Sequence, residues 1–253
     1  MKKDLDKPSF SNLTIEADFI NGFLRLCEWI RMPYQRIIYH EPLKELNLNV
    51  ALLLGLHAGD GWLSDKWGIT CGQDDRSMFL RIMGLVRNVL GVESIKPIKC
   101  SAGKAIMIRS GQPQALAFFR RYGFPQGRKA GKVCIPKQVL ESNDEDIVKA
   151  FLRGLFSTDG CFSFQVDRGP RVEIQVKSEK LRDDFIHLTN WLGFSFRSYA
   201  YLPPRGKNKA PLQVAYTTQT KQVIRWMEDI GSIKDSHIKK YQYWKRIIET
   251  KTS

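Results

Sequence analysis

The chain has 253 residues, of which 43% are hydrophobic and 26% charged, a composition that buries a real core and excludes disordered and fibrous classes. Lys and Arg number 40 against 26 Asp and Glu, a net charge of +14 that draws polyanions, nucleic acid first among them. The longest apolar runs fall short of a membrane span, no signal core follows Met1–Lys7, and five scattered cysteines without a C-x-x-C pair argue against a disulfide framework or a zinc site. These features point to an intracellular protein with no membrane partner: cytoplasmic, or organellar in a eukaryotic host.

In chain order, residues 1–45 form an N-terminal extension with an amphipathic helix around Ala17–Arg31. An apolar helix then runs through Leu53–Asp60. Short strands follow at Trp62–Asp65 and Trp67–Cys71. Arg76–Leu90 is a helix closed by Gly91. Strands at Ser94–Lys99 and Lys104–Arg109 flank Ser101-Ala102-Gly103, and Pro113–Tyr122 is a helix closed by Gly123. Residues 124–142 read as a connector.

The order then repeats. Asn143 is the candidate N-cap of a helix to about Asp159, with Glu145 and Asp146 in its first turn. Cys161–Asp167 and Arg171–Lys177 alternate apolar with polar residues about a Gly169-Pro170 turn, the pattern of half-buried strands. Glu179–Leu192 is helical and stops at Gly193. Strands near Ser195–Tyr201 and Leu212–Thr218 enclose the Pro203-Pro204-Arg205-Gly206 turn, and a helical region from Lys221 to Ile248 breaks near Gly231. The halves are therefore 46–123 and 143–253, each helix–strand–strand–helix–strand–strand–helix.

The repeat is sharpest at its first helix. Leu53–Gly61 and Leu152–Gly160 both read L-x-G-L-x-x-x-D-G. Gly55 and Gly154 have no side chain to hold a second helix away, so a pseudo-twofold pairing of these helices brings Asp60 and Asp159 together. Carboxylates at helix C-termini are disfavoured by the partial negative charge there and by each other. A divalent cation reverses both penalties, because carboxylates, carbonyls, water and phosphate are the oxygen ligands Mg²⁺ accepts.

The duplicated motif, its spacing and the strand order resemble the LAGLIDADG homing endonucleases in their single-chain, two-motif form. The resemblance covers roughly residues 46–250, with Phe151–Gly160 and the Lys132–Pro136 block close to the family pattern. It implies an α+β fold: two pseudo-symmetric αββαββα halves forming an antiparallel saddle-shaped β-sheet with helices on one side. It implies a monomer that uses Mg²⁺ to hydrolyse both strands of a long duplex target, with Mn²⁺ or Ca²⁺ able to substitute in binding. It assigns Asp60 and Asp159 to the metal, with the Gly59 and Thr158 carbonyls as further ligands. Lys132 becomes the basic group near the attacking water, with Lys234 or Lys239 as its counterpart, and Gln73 or Cys71 the water-orienting residue. His57, inside the first motif, reads as a packing residue. No protein-splicing ends are visible, so the expectation is a free-standing, intron-encoded enzyme. The alternatives on the same fold are an RNA maturase acting on host intron RNA and a non-cleaving DNA-binding regulator.

Strand parity extends the reading to DNA contacts. With Phe162, Phe164, Val172, Ile174, Val176, Phe196, Val214 and Tyr216 packed inward, the opposite face carries Ser163, Gln165, Arg171, Glu173, Gln175, Lys177, Arg197, Tyr199 and Gln213. These are side-chain types that read base edges. Arg205, Lys207 and Lys209 suit phosphate contacts. Ser64, Lys66, Lys99, Lys104 and Arg109 are the first-half candidates.

Overall fold

The computed structural model describes residues 41–72, 76–91, 96–99, 105–165, 168–203 and 210–252. The expected helix at Ala17–Arg31 and the candidates Gln73, Lys104, Arg205, Lys207 and Lys209 lie outside the described residues.

Helix α1 (Leu48–Asp60) begins at Asn47, whose side chain accepts from the Val50 N–H, and is buried almost all round, as its uninterrupted apolar run requires. β1 (Gly61–Leu63) and β2 (Trp67–Gly72) form a hairpin, followed by α2 (Arg76–Leu90), β3 (Lys96–Lys99), β4 (Ala105–Ser110) and α3 (Pro113–Arg121). A short α4 (Lys137–Leu140) in the connector had no periodic signal in so few residues. α5 (Glu145–Asp159) opens the second half. Its N-cap is Asp144, not Asn143: the Asp144 carboxylate accepts from the N–H groups of Asp146 and Ile147, and a charged acceptor suits the positive helix end better than an amide. β5 (Gly160–Gln165), β6 (Gly169–Val176), α6 (Glu179–Trp191, capped by Ser178), β7 (Arg197–Tyr201) and β8 (Leu212–Thr217) follow. The expected final helical region becomes α7 (Thr220–Arg225), a π-helical turn (Trp226–Ile230) and α8 (Asp235–Thr252), separated at Gly231, where φ is 67°. Gly169 and Pro170 are not a free turn but the first residues of β6, Gly169 at a φ of 75° that suits glycine.

The strands form two four-stranded antiparallel sheets of matching order, β1-β2-β4-β3 and β5-β6-β8-β7. Each half thus carries its own sheet in the same topology. One face of each is packed by helices: Trp67, Ile69 and Ile108 in the first, Phe162, Val172 and Ile174 in the second, all without solvent exposure. Full burial of such side chains stabilises by about 1.5–3 kcal/mol each. The two halves meet through α1 and α5. A Cβ at Gly55 would fall on the Phe151 carbonyl oxygen, and one at Gly154 on that of Leu52, so the two helix backbones are in direct contact as the glycine spacing predicts. Among the described residues, no helix is long and apolar enough to cross a membrane.

Candidate active site

α1 ends at Asp60 and α5 at Asp159, each followed by a glycine whose N–H donates to a carbonyl of the last turn, His57 and Phe156 respectively. The helices stay close to their ends. A Cβ at Gly59 would fall on Thr158 Oγ1 and come within 3.4 Å of Asp159 Cγ. The carboxylates feel one another: the Asp159 carboxyl is pushed up to about 7, first by loss of water and then by repulsion from Asp60. Asp60 reaches solvent on one side, and the protein on its other sides still raises its carboxyl, offset by Lys129 and then Lys234.

Lys129 is the cation that sequence reasoning missed. Gly127 donates to the Leu63 carbonyl at 2.6 Å, which ties the connector to the end of β1 and brings Lys129 to the end of α1. Its ammonium donates to the carbonyls of His57 (2.9 Å), Ala58 (2.8 Å) and Gly59. Burial lowers it to about 8 despite Asp159 and Asp60. Lys132 is exposed in the turn beyond, its N–H donating to the Lys129 carbonyl at 2.8 Å. No motif marks Lys129; the only clue was the spread of basic residues from Arg128 to Lys132. In the second half Lys234 acts on Asp60, while Lys239 is exposed on α8.

The turn that carries Lys234 is held by buried hydroxyls. Ser157 Oγ accepts from the Ile233 N–H (2.9 Å) and lies 3.2 Å from Ser232 Oγ. Ser232 Oγ accepts from the Lys234 N–H (3.0 Å) and lies 3.1 Å from His237 Nδ1. His57 is a packing residue: buried, stacked on Phe119 at 4.1 Å, and accepting at Nδ1 from Trp67 Nε1 at 3.0 Å, with burial holding it neutral. Cys71 lies in the core, paired across the sheet with Ile106, and so does not face the aspartates' solvent side.

The donor set suits a hard divalent cation. Among the described residues there is no group of three His, Cys, Asp or Glu side chains that could hold a metal ion. Two carboxylates with helix-end carbonyls remain, and Mg²⁺ takes one or two carboxylates and completes its shell with water and phosphate. The raised carboxyls and the ammonium seated on the Gly59 carbonyl both mark a place where positive charge is needed.

On the second sheet, cross-strand pairing puts Cys161, Ser163, Arg171, Glu173, Gln175, Tyr216, Val214, Arg197, Tyr199 and Tyr201 on the face away from the core helices. Gln165 ends β5 on that face and Lys177 is exposed just past β6. The expected parity of β8 is corrected. Gln213 pairs with Val176 on the core face, where Arg182 Nη1 donates to it at 2.5 Å, and Tyr216 and Val214 face outward. Alternation in β8 misled because its outward residues are apolar or aromatic and its inward glutamine has a buried partner. In the first sheet Arg109 is exposed on the open face, while Ser64 and Lys66 occupy the β1–β2 turn, and Lys99 lies in β3 opposite Ile106.

Residues 146–231 match the family model of the LAGLIDADG-like domain. An A-type ATP synthase catalogue relative from Pyrococcus abyssi, the large chain of that name, is 29% identical over 193 residues, which are 76% of this chain and 18% of that protein, so the chain spans under a fifth of its curated relative. A structure from work on mesophilic variants of the homing endonuclease I-DmoI superposes at a TM-score of 0.52 with 16% identity, over 73% of this chain and 95% of that one. Full-length DUF199/WhiA from Thermatoga maritima superposes at 0.54 with 16% identity, over 83% and 62%. At such identities the likeness is one of fold.

Proposed function

We propose that this chain, which carries a LAGLIDADG-like domain on a fold shared with the homing endonuclease I-DmoI, is a site-specific DNA endonuclease that uses a divalent cation. The observation that carries the reading is the meeting of Asp60 and Asp159 at adjoining helix ends, with Asp159 pushed up to about 7, in a chain of net charge +14. Desolvated, mutually repelling carboxylates are costly to keep and are characteristic of sites with chemistry to perform.

In this reading Asp60, Asp159 and the Gly59 and Thr158 carbonyls would hold the cation. Mg²⁺, Mn²⁺ or Ca²⁺ all suit such oxygen donors. When bound, a divalent cation supplies Lewis acidity toward the scissile phosphate and lowers the pKa of an attacking water. The chain's own groups do the rest. Lys129 and Lys234 place positive charge beside the carboxylates, where charge builds on the phosphate oxygens. Lys129, at about 8, is poised to exchange a proton near neutral pH. The outward faces of the sheets meet the duplex.

A second reading has its own support: the Lys129 ammonium already neutralises the helix-end carbonyls, as it would in a DNA-binding protein that holds no metal and does not cut. One experiment separates the two. Purified chain and its Asp159→Asn variant are incubated with a randomised duplex library, or with the intron-free allele of a host gene, in Mg²⁺ or Mn²⁺. The endonuclease reading expects double-strand cutting by wild type, a loss of about a hundredfold or more in the variant, and duplex affinity nearly unchanged. Salt-dependent binding without cutting in either cation selects the second reading, and full cutting by the variant defeats the mechanism.

A further inference from the structure

β6 offers Arg171, Glu173 and Gln175 at alternate positions along the outward face of the second sheet. Taken singly, each is a base reader: Arg for guanine, Glu for cytosine, Gln for adenine. They are not single. Glu173 Oε2 accepts from Arg171 Nε at 2.6 Å and its Oε1 accepts from Gln175 Nε2 at 2.9 Å, so both carboxylate oxygens are engaged. Gln175 Oε1 accepts from the Tyr201 hydroxyl at 3.3 Å. The Arg171 guanidinium lies 4.3 Å from the centre of the Tyr216 ring and donates from Nη2 to the Tyr199 hydroxyl at 3.2 Å. Tyr199 in turn packs edge-on against Tyr216 at 5.6 Å.

A carboxylate on a face that meets a polyanion opposes binding. This one is also largely withdrawn from water, its side chain 13% exposed against 30% for Arg171. Such a group costs stability unless its oxygens are satisfied. What Glu173 does with them is to hold two long side chains in fixed positions. A guanidinium has five N–H groups; Glu173 and Tyr199 engage two of those on Arg171, so three remain to donate. Gln175 keeps one N–H and a lone pair, the donor–acceptor edge that matches adenine. Fixing both before binding removes their ordering entropy from association.

We propose that Glu173 is a positioning residue and not a base reader: it holds Arg171 and Gln175 as one preformed unit that reads two places in one half of a duplex target. This rests on the DNA-binding part of the function proposed above, and not on cleavage. Arg171 and Gln175 are four residues apart on one strand, a span of roughly 13 Å. That corresponds to about four base-pair steps of 3.4 Å. The unit therefore addresses two separated positions, whereas a glutamate acting as a reader would address one position between them.

The test is site selection from a randomised duplex library in Ca²⁺, using the full chain as wild type, Glu173→Ala, Glu173→Gln and the Arg171→Ala/Gln175→Ala double variant, each checked by thermal unfolding. Wild type is expected to enrich a defined site. Glu173→Ala is expected to lose roughly tenfold of the base preference at two positions about four base pairs apart, the same two relaxed by the double variant. Glu173→Gln keeps the size of the side chain and one accepting oxygen, so it folds as wild type does and relaxes the same positions less. An unchanged profile in both Glu173 variants, or relaxation confined to one intervening position, overturns the proposal while leaving DNA binding intact. If wild type enriches no duplex, the DNA reading falls and this proposal with it.

Discussion

At the scale of single residues, the informative group is Asp159. Its carboxyl titrates near 7 in the folded chain, against about 3.9 when unfolded. Between those values the folded state keeps a proton that the unfolded state has released. Stability without metal therefore falls as pH rises from about 4 to about 7. His237 works the other way. Burial and then Lys234 lower it to about 4, so in the range up to its unfolded value near 6.5 its contribution rises with pH. The difference between wild type and Asp159→Asn isolates the carboxylate. We expect unfolding temperature in chelator to decline across this window for wild type relative to the variant. Millimolar Mg²⁺ should raise it more at about pH 8 than at about pH 5.5, because the cation competes with the proton. A Mg²⁺ shift that is equal at both pH values, or equal in the variant, would remove the cation from this site. The two aspartates were legible because the motif occurs twice. Lys129 was not, because a lone lysine in an aperiodic connector carries no spacing signal, and only the Gly127–Leu63 hydrogen bond shows where it goes.

At the scale of elements, the paired helices α1 and α5 set the distance between the carboxylates. Gly55→Ala would drive a Cβ into the Phe151 carbonyl oxygen, an atom of the facing backbone that cannot step aside. We expect a loss of about 1–3 kcal/mol in urea unfolding, despite the better helix propensity of alanine. Gly84→Ala in α2 is the matched control, since a Cβ there meets nothing within 4 Å. It should be neutral or stabilising by up to about 1 kcal/mol. Equal effects at the two positions would mean that the close approach of the helices is not what glycine serves. Element order and helix pairing could be read from the chain because L-x-G-L-x-x-x-D-G and the strand alternations are local patterns. The face of β8 could not, since Tyr216 and Val214 are covered outward by neighbouring aromatic rings while Gln213 is paired inward with Arg182. Those are tertiary facts that override parity. The break of the last helical region was visible at Gly231, but the π-helical turn before it was not; it closes with the Gly231 N–H on the Trp226 carbonyl.

At the scale of the whole molecule, charge and repetition combine. A net +14 spread over two sheets of the same topology is the electrostatic counterpart of a long duplex that both halves contact. Each phosphate neutralised by Lys or Arg releases condensed counterions, so affinity should fall linearly on a log–log plot against salt, with a slope of about −0.9 per contact. A duplex long enough for both sheets should give a slope near the sum of those for two half-length duplexes, because the contacts are additive while the specific base readings are not. With roughly six to ten contacts in all, affinity should drop about 10³- to 10⁵-fold between 50 and 200 mM salt. Filter binding or fluorescence anisotropy on full and half-length duplexes measures both quantities. A slope near zero would assign the basic charge to solubility. A slope that does not grow with duplex length would mean that one half alone engages DNA, and the two-sheet arrangement would then need another explanation.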